Sequence, residues 1–487
     1  MQSSKIKVLP EDFVVHEKID LPLTESGSHR VYVMEKRSWN TVDAVESIAQ
    51  ASGVSSSMVR YAGLKDRHAL TYQHISAPSG IRLVSANSSV RLSFLGFSDD
   101  FVSTRVLVGN KFRVTLRSLS GTEQDAVSAR VPEAASFGFP NYYDDQRFGS
   151  VTEDGFFAER LLRGHLRGAL RLHLTAQFPG DSPSERERKE RMAFAWGKWD
   201  EVRNRCVTPD EIAVAEALRR GGRRNDLLLG INAIPASQLA MYLSAYQSYL
   251  WNRVLRVVLA SHLNEPAFVK LREAYDGTLM HPSAPTTREV AFKREPGERS
   301  MKHPFAMASR QATSNTPRES GDRSLAHQSA TASSQVASNA PGESGDPSLM
   351  RQSTTISSPT FTASGKLGDY AFYRGMSAEA LRCLSSLQIP TVARRVLPCE
   401  PEVQEAIDKV LTKIDIPLSA FGLRGIRNAY FHSFYRPAIV VPKDLAVSPV
   451  SPDERYPGRG KMCLEFRLPA GAYATMLVKA LVGLAKP

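Results

Sequence analysis

A chain of 487 residues, 42% hydrophobic and 23% charged, has room for two or three globular domains and a sizeable core. It carries no apolar run of about 18 residues that would span a membrane and no signal-like h-region near Met1, and its four scattered cysteines (Cys206, Cys383, Cys399 and Cys463) fit neither zinc spacing nor a disulfide framework, so reduced thiols in the cytoplasm are expected. The net charge of +12 and a pI near 9.5 suit a polyanionic partner.

Residues 5–19 alternate apolar and polar on either side of Pro10. They read as two short extended pieces with a bend, with Phe13 in the core of an edge strand. Val31 to Lys36 is a second strand candidate, and Asn40 or Thr41 caps a helix over Val42 to Ala51. Next comes Tyr61-Ala-Gly-Leu-Lys-Asp-Arg-His-Ala-Leu-Thr-Tyr-Gln73. Gly63 frees the backbone to turn, the charged run Lys65 to His68 follows, and strand-like residues resume from Tyr72 to Ile75. Asp66 therefore falls in a loop between cations, which favour the charged form of a carboxylate. Such a group serves as nucleophile, general base or ion-pair partner, and a solvated surface loop has the same composition.

Val90 to Leu95 and Phe101 to Val108 read as strands, and Gly109-Asn110 signals a two-residue hairpin between Val108 and Phe112. Gly138-Phe-Pro-Asn-Tyr-Tyr-Asp-Asp-Gln-Arg-Phe-Gly149 is dense in aromatics beside Arg147. It suits either stacking on an unpaired base or a tight turn whose rings fill the core. From Val151 to Leu228 the pattern is helical, with clustered arginines. The cluster from Arg186 to Arg191 alternates with glutamates and reads as a solvated helix face, whereas Arg219 to Arg224 suits phosphate contacts. Ile234 to Leu263 reads as one long helix on which Gln247, Ser248 and Asn252 brace neighbours. Residues 299–360 are rich in Ser, Thr, Ala, Gln and Pro and repeat with a period of 24 from Ser309 and Ser333. Too little apolar surface is present to offset chain entropy, so this stretch is expected to be disordered. Helices follow at Ser377 to Gln388 and Glu402 to Ile414. Arg424, Arg427, His432 and Arg436 either face RNA or sit in an ion-paired loop, and a strand from Met462 and a helix from Met476 close the chain.

The string YAGLKDRHALTYQ resembles the signature of the TruD-type pseudouridine synthases, AG-x-KD-[KR]-x-A-x-T-x-Q. In the same order, KVLPEDFVVHE, EKRSWNT, LVGNKFRVTLR, PNYYDDQRFG, QSYLWN and FRLPAGAYAT also resemble family segments. Inside PNYYDDQRFG the family usually has Phe where this chain has Tyr143. The resemblance implies an α+β fold: a pseudouridine-synthase-like catalytic domain with a mixed or antiparallel sheet (1–150 and 426–487), interrupted by a mostly helical insertion domain (151–425). It implies Asp66 as the catalytic residue and substrate contacts from Lys7, Phe13, Glu17, Lys65, Asn141, Tyr143 and Arg147, with no metal and no cofactor. Lys7 would hold the aspartate ionised, Tyr143 and Phe13 would form an aromatic platform, and Asn141 would hold the turn or bond the base. The implied activity is isomerisation of a tRNA uridine, at position 13 of the D-arm, by a monomer that needs no membrane and no protein partner. Two other readings remain: a tRNA-binding or folding protein without turnover, and a carboxylate-based hydrolase releasing free uracil.

Overall fold

The computed structural model describes residues 4–265, Phe268 and residues 360–483. The repetitive stretch expected to be disordered lies, except for Thr360, outside the described residues.

The first part of the chain forms β1 (Phe13–Ile19), β2 (His29–Arg37), α1 (Thr41–Ala51), β3 (Arg60–Tyr61), β4 (Leu70–Pro78), β5 (Val90–Ser98), β6 (Leu107–Leu119), α2 (Gly121–Phe137) and β7 (Phe139–Pro140). A helical stretch follows: α3 (Phe157–Leu162), α4 (Leu166–Thr175), α5 (Pro183–Phe194), α6 (Trp199–Arg203), α7 (Pro209–Arg219), α8 (Arg224–Ala233) and α9 (Ala236–His262). Then come the hairpin β8 (Thr360–Gly365) and β9 (Gly368–Tyr373), α10 (Ala378–Ser386), β10 (Gln388–Pro390), α11 (Pro401–Ile414), β11 (Tyr435–Pro437), β12 (Ile439–Val440), β13 (Lys443–Val447), β14 (Ser451–Pro452), β15 (Gly460–Pro469) and α12 (Ala474–Val482). No single described helix is long and apolar enough to cross a membrane.

The main sheet runs β13-β15-β6-β1-β4-β2-β5, with β14 beside β15 and β3 beside β4. Only the β1–β4 pairing is parallel, so the sheet is mixed. Strands from the end of the chain thus lie beside strands from its beginning. β1 is central and not the edge strand expected. Phe13, Val14 and Val15 are all at most 3% exposed, the mark of a strand covered on both faces. Register puts Phe13 beside Val114, Val15 beside Phe112 and Thr71, and Thr71 beside Lys36, all on one face. On that face α1 packs on Tyr32, Met34 and Ile75, while Val127 and Val131 of α2 and Met476 and Leu477 of α12 join the core around Leu116 and Phe466. Tyr61, before the Asp66 loop, packs on the α1 group, and Ala69, after it, belongs to the other.

Two local expectations fail and one helix was not anticipated. Gly109-Asn110 makes no hairpin: both lie inside the 13-residue β6. A side chain at Gly109 would collide with the Leu468 carbonyl and come within 3.1 Å of Pro469 Cα, so the glycine serves close strand approach and not a turn. Residues 101–106, the first six of the eight expected in a strand over Phe101 to Val108, form loop and turn instead. Finally, α2 has no counterpart in the sequence expectations, although Ser120 and Glu123 form a reciprocal capping box at its start.

Candidate active site

Three neighbouring elements hold the loop between β3 and β4. Lys36 on β2 donates from Nζ to the Asp66 carbonyl (2.8 Å) and the Trp39 carbonyl (2.7 Å). Thr41, first residue of α1, accepts from the Lys65 amide at 2.9 Å and donates to Gln73 Oε1 at 3.2 Å. Gln73 in turn donates to the Gly63 carbonyl. Thr41, Gln73 and Lys36 are fully or almost fully buried. Burial pushes the Lys36 amine down to about 8, against the opposing pull of the Asp66 charge. The backbone of Asp66 is therefore fixed while its side chain stays 28% exposed.

Lys7 reaches Asp66 Oδ2 at 3.2 Å, with its ammonium 4.3 Å from the centre of the Phe13 ring. It adopts φ +58°, a left-handed conformation uncommon outside glycine. Glu17 and Lys65 are placed differently from expectation. The Glu17 side chain is sealed from solvent, accepting from Lys65 Nζ (2.6 Å) and the His74 amide (2.8 Å). Burial alone would raise its carboxyl, but the His74 and Lys65 contacts hold it below the usual glutamate range. Lys65, 8% exposed, is thereby turned away from Asp66 and from open space.

The aromatic motif lies beside Tyr473, whose ring centre is 6.1 Å from that of Tyr143. Arg436 is 6% exposed and donates to the carbonyls of Asn141 and Gly471, both at 2.9 Å. Its guanidinium lies 3.9 Å from the centre of the Tyr143 ring and 4.9 Å from that of Trp251. It makes no ion pair among the described residues, so it neither faces RNA openly nor sits in an ion-paired loop. Asn252 clamps the Tyr143 backbone, accepting from its amide at 2.8 Å and donating to its carbonyl at 2.9 Å. Gln247 and Ser248 also bind neighbours, so the bracing role expected for this part of α9 holds. Asn141 donates to the Pro437 carbonyl at 3.1 Å, and its buried Oδ1 has no partner. Arg147 is exposed, 5.6 Å from the Tyr143 ring. The two residues after Tyr143 anchor α12: Asp144 and Asp145 share Lys479 at 2.6 and 2.7 Å.

The family model described as tRNA pseudouridine synthase D (TruD) matches residues 2–279. The chain belongs to the TruD family. A Leptospira interrogans tRNA pseudouridine synthase D is 26% identical over 98% of this chain and 95% of its own length. An Aquifex aeolicus protein of the same name is 31% identical over 53% of this chain and 67% of its own length. The crystal structure of a Methanosarcina mazei protein assigned to TruD aligns with a TM-score of 0.59 at 19% identity, covering 99% of this chain and 94% of that one, and shows the α+β fold. The TruD family consists of tRNA pseudouridine synthases, which are isomerases.

In this TruD chain the expected aromatic platform needs correction. Phe13 and Tyr143 are 1% and 2% exposed, and each ring has a cation over it. Neither offers a face to an incoming base; both support the cations instead. Tyr473, the residue before α12, is half-buried and 6.1 Å from Tyr143, and burial raises its hydroxyl with smaller help from the Asp144 and Asp66 charges. Sequence reading passed over Tyr473 and Lys36, although both stand in strings that resemble the family (PAGAYAT and EKRSWNT).

Proposed function

We propose that the chain isomerises a uridine of tRNA, at position 13 of the D-arm, to pseudouridine, with Asp66 as nucleophile. One observation carries the assignment: among the described residues around the site, Asp66 is a carboxylate partly open to solvent whose side chain is paired with Lys7 alone, whereas Asp145, equally open, is taken up by Lys479, the Lys366 amide and the Tyr370 hydroxyl. Asp12 is spent on Arg117, Glu17 on Lys65 and His74, and Asp144 on Lys479 and Thr475.

The reaction breaks the bond from ribose C1' to N1, turns the base and forms a bond from C1' to C5. The C5 proton leaves and N1 gains one, so atoms and electrons balance without a cofactor. Asp66 acts either on C1' as the base departs or on C6 of the base. Lys7 holds the Asp66 carboxylate in place before attack through its 3.2 Å contact with Oδ2. A target base must leave its stack, and Tyr473 offers the ring on which it rests. The buried, unpartnered Asn141 Oδ1 is an acceptor for an N–H of the turning base. Phe13, Glu17 and Lys65 serve the substrate indirectly by fixing Lys7 and the Asp66 loop, and Tyr143 does so by carrying Arg436. Arg147 supplies an exposed cation for phosphate. After the base has rejoined, Asp66 is free again and is the carboxylate at hand for the C5 proton.

Residues 1–150 and 426–487 serve as the catalytic domain and 151–425 as an insertion that adds RNA-facing surface. We place the reaction in the cytoplasm, in keeping with four unpaired cysteines, and assign it to a monomer. The test is incubation with unmodified tRNA transcript and no added cofactor. Pseudouridine at one D-arm uridine with unchanged RNA mass supports the reading. Free uracil identifies a hydrolase, and binding without either product identifies a non-catalytic RNA-folding protein.

A further inference from the structure

We propose that an exposed aromatic ladder, Tyr430, His432 and Phe434, binds unpaired bases of the substrate RNA next to the target uridine; this rests on the RNA reading above. Exposure alternates from Ala429 to His432, and Phe434 and Tyr435 are both exposed. Tyr430 and Phe434 are 65% and 43% exposed and His432 is exposed too, whereas Ala429 and Phe431 are buried, Phe431 edge-on to Phe421 at 5.0 Å. The Tyr430 and His432 ring centres stand 4.0 Å apart with their planes tilted by 56°, so each ring keeps its own face.

The segment is built to hold these rings in water. Phe434 exchanges backbone-directed bonds with Thr391: the Thr391 amide donates to the Phe434 carbonyl at 3.0 Å and the Phe434 amide donates to Thr391 Oγ1 at 3.1 Å. Ser433 Oγ donates to the Thr391 carbonyl (2.8 Å) and accepts from the Leu397 amide (3.1 Å), and Gln247 donates to the His432 carbonyl (2.8 Å). Large apolar rings fixed in solvent mark a surface awaiting a partner.

Charge selects the partner. Arg394, Arg395 and Arg427 are exposed on the same two segments and their neighbouring turn, and make no ion pair among the described residues. Flat rings interleaved with free guanidiniums match the bases and phosphates of single-stranded RNA. Position points the same way: two residues beyond Phe434 the chain delivers Arg436 to the candidate active site. An RNA strand lying on the ladder thus adjoins the segment that carries Arg436 to Tyr143, next to Tyr473.

The test uses full-length protein carrying Asp66→Asn, so that binding is read without turnover. Adding Tyr430→Ala and Phe434→Ala together should raise the Kd for an unmodified tRNA transcript at least about tenfold, since each stacked base is worth roughly 5- to 160-fold. The slope of log Kd against log salt should stay the same, because no cation is removed. Tyr430→Phe with Phe434→Tyr should keep parental affinity, and matching thermal midpoints show that all variants fold. In proteins with Asp66 intact, the alanine pair should place its loss in KM rather than kcat. Alanine variants that bind within twofold of their parent overturn the ladder while leaving the proposed reaction standing. Intact protein that binds tRNA but forms no pseudouridine counts against the reaction and not the ladder, and a parent that binds no tRNA overturns both.

Discussion

Replacing Lys7 by alanine removes the ammonium 3.2 Å from Asp66. At that distance the bare attraction is about 5 kcal/mol with an effective dielectric near 20. Water reaches both side chains, 13% and 28% exposed, so the net value is a fraction of this, about 1–2 kcal/mol. If the cation steadies the reacting carboxylate, the single-turnover rate on saturating tRNA should fall roughly 5- to 30-fold. Lys7 also holds φ +58°, which costs a residue with a side chain about 1–2 kcal/mol and costs glycine little. Lys7→Gly should therefore lose the same activity as Lys7→Ala yet unfold in urea with a stability about 1 kcal/mol higher. Parental turnover in both variants would refute the role of the ammonium. Equal stability of the two would refute the strain.

Glu17→Gln should destabilise the protein by about 3–5 kcal/mol at neutral pH, because the enclosed Lys65 ammonium loses its counter-charge. The folded carboxyl sits below its ordinary value of 4.5, so its contribution is complete above that pH and lost as the pH falls through the folded value; urea midpoints of parent and variant should converge on acidification. Arg117→Ala, which strands the buried Asp12 and Asp453, should cost a similar amount in denaturant unfolding with m unchanged. Tyr143→Phe should change the single-turnover rate less than about tenfold, since burial raises the hydroxyl and keeps it from acting as a base near pH 7. Tyr143→Ala should lower stability by about 3–5 kcal/mol, whereas Tyr473→Ala should instead weaken productive tRNA binding by about 1–3 kcal/mol.

Strands and helices with strong periodicity were legible in the chain: β2, α1, α9 and α11 lie close to where alternation and caps put them. The Asn40 side chain does cap α1, accepting from the Asp43 amide. Gly109 misled because a glycine needed for close strand approach looks the same as one needed for a turn. Phe13 and Tyr143 misled for a related reason. An aromatic residue in a functional motif stacks on substrate or supports those that do, and only burial separates the two. Lys36 illustrates the limit most clearly: it ends an ordinary strand pattern, and nothing local reveals that its amine bonds the backbone of a residue 30 positions later. Pairing of Arg117 with Asp453 across more than 300 residues is equally invisible to spacing.

The central claim is that Asp66 reacts with the substrate. Single-turnover conversion of a saturating tRNA transcript by Asp66→Asn, with pseudouridine mapped at nucleotide resolution and Kd measured in parallel, tests it most directly. The expected result is no pseudouridine above background with Kd within a few-fold of the parent, because affinity rests on many phosphate contacts. Pseudouridine formed by Asp66→Asn at a rate comparable to the parent would contradict the account.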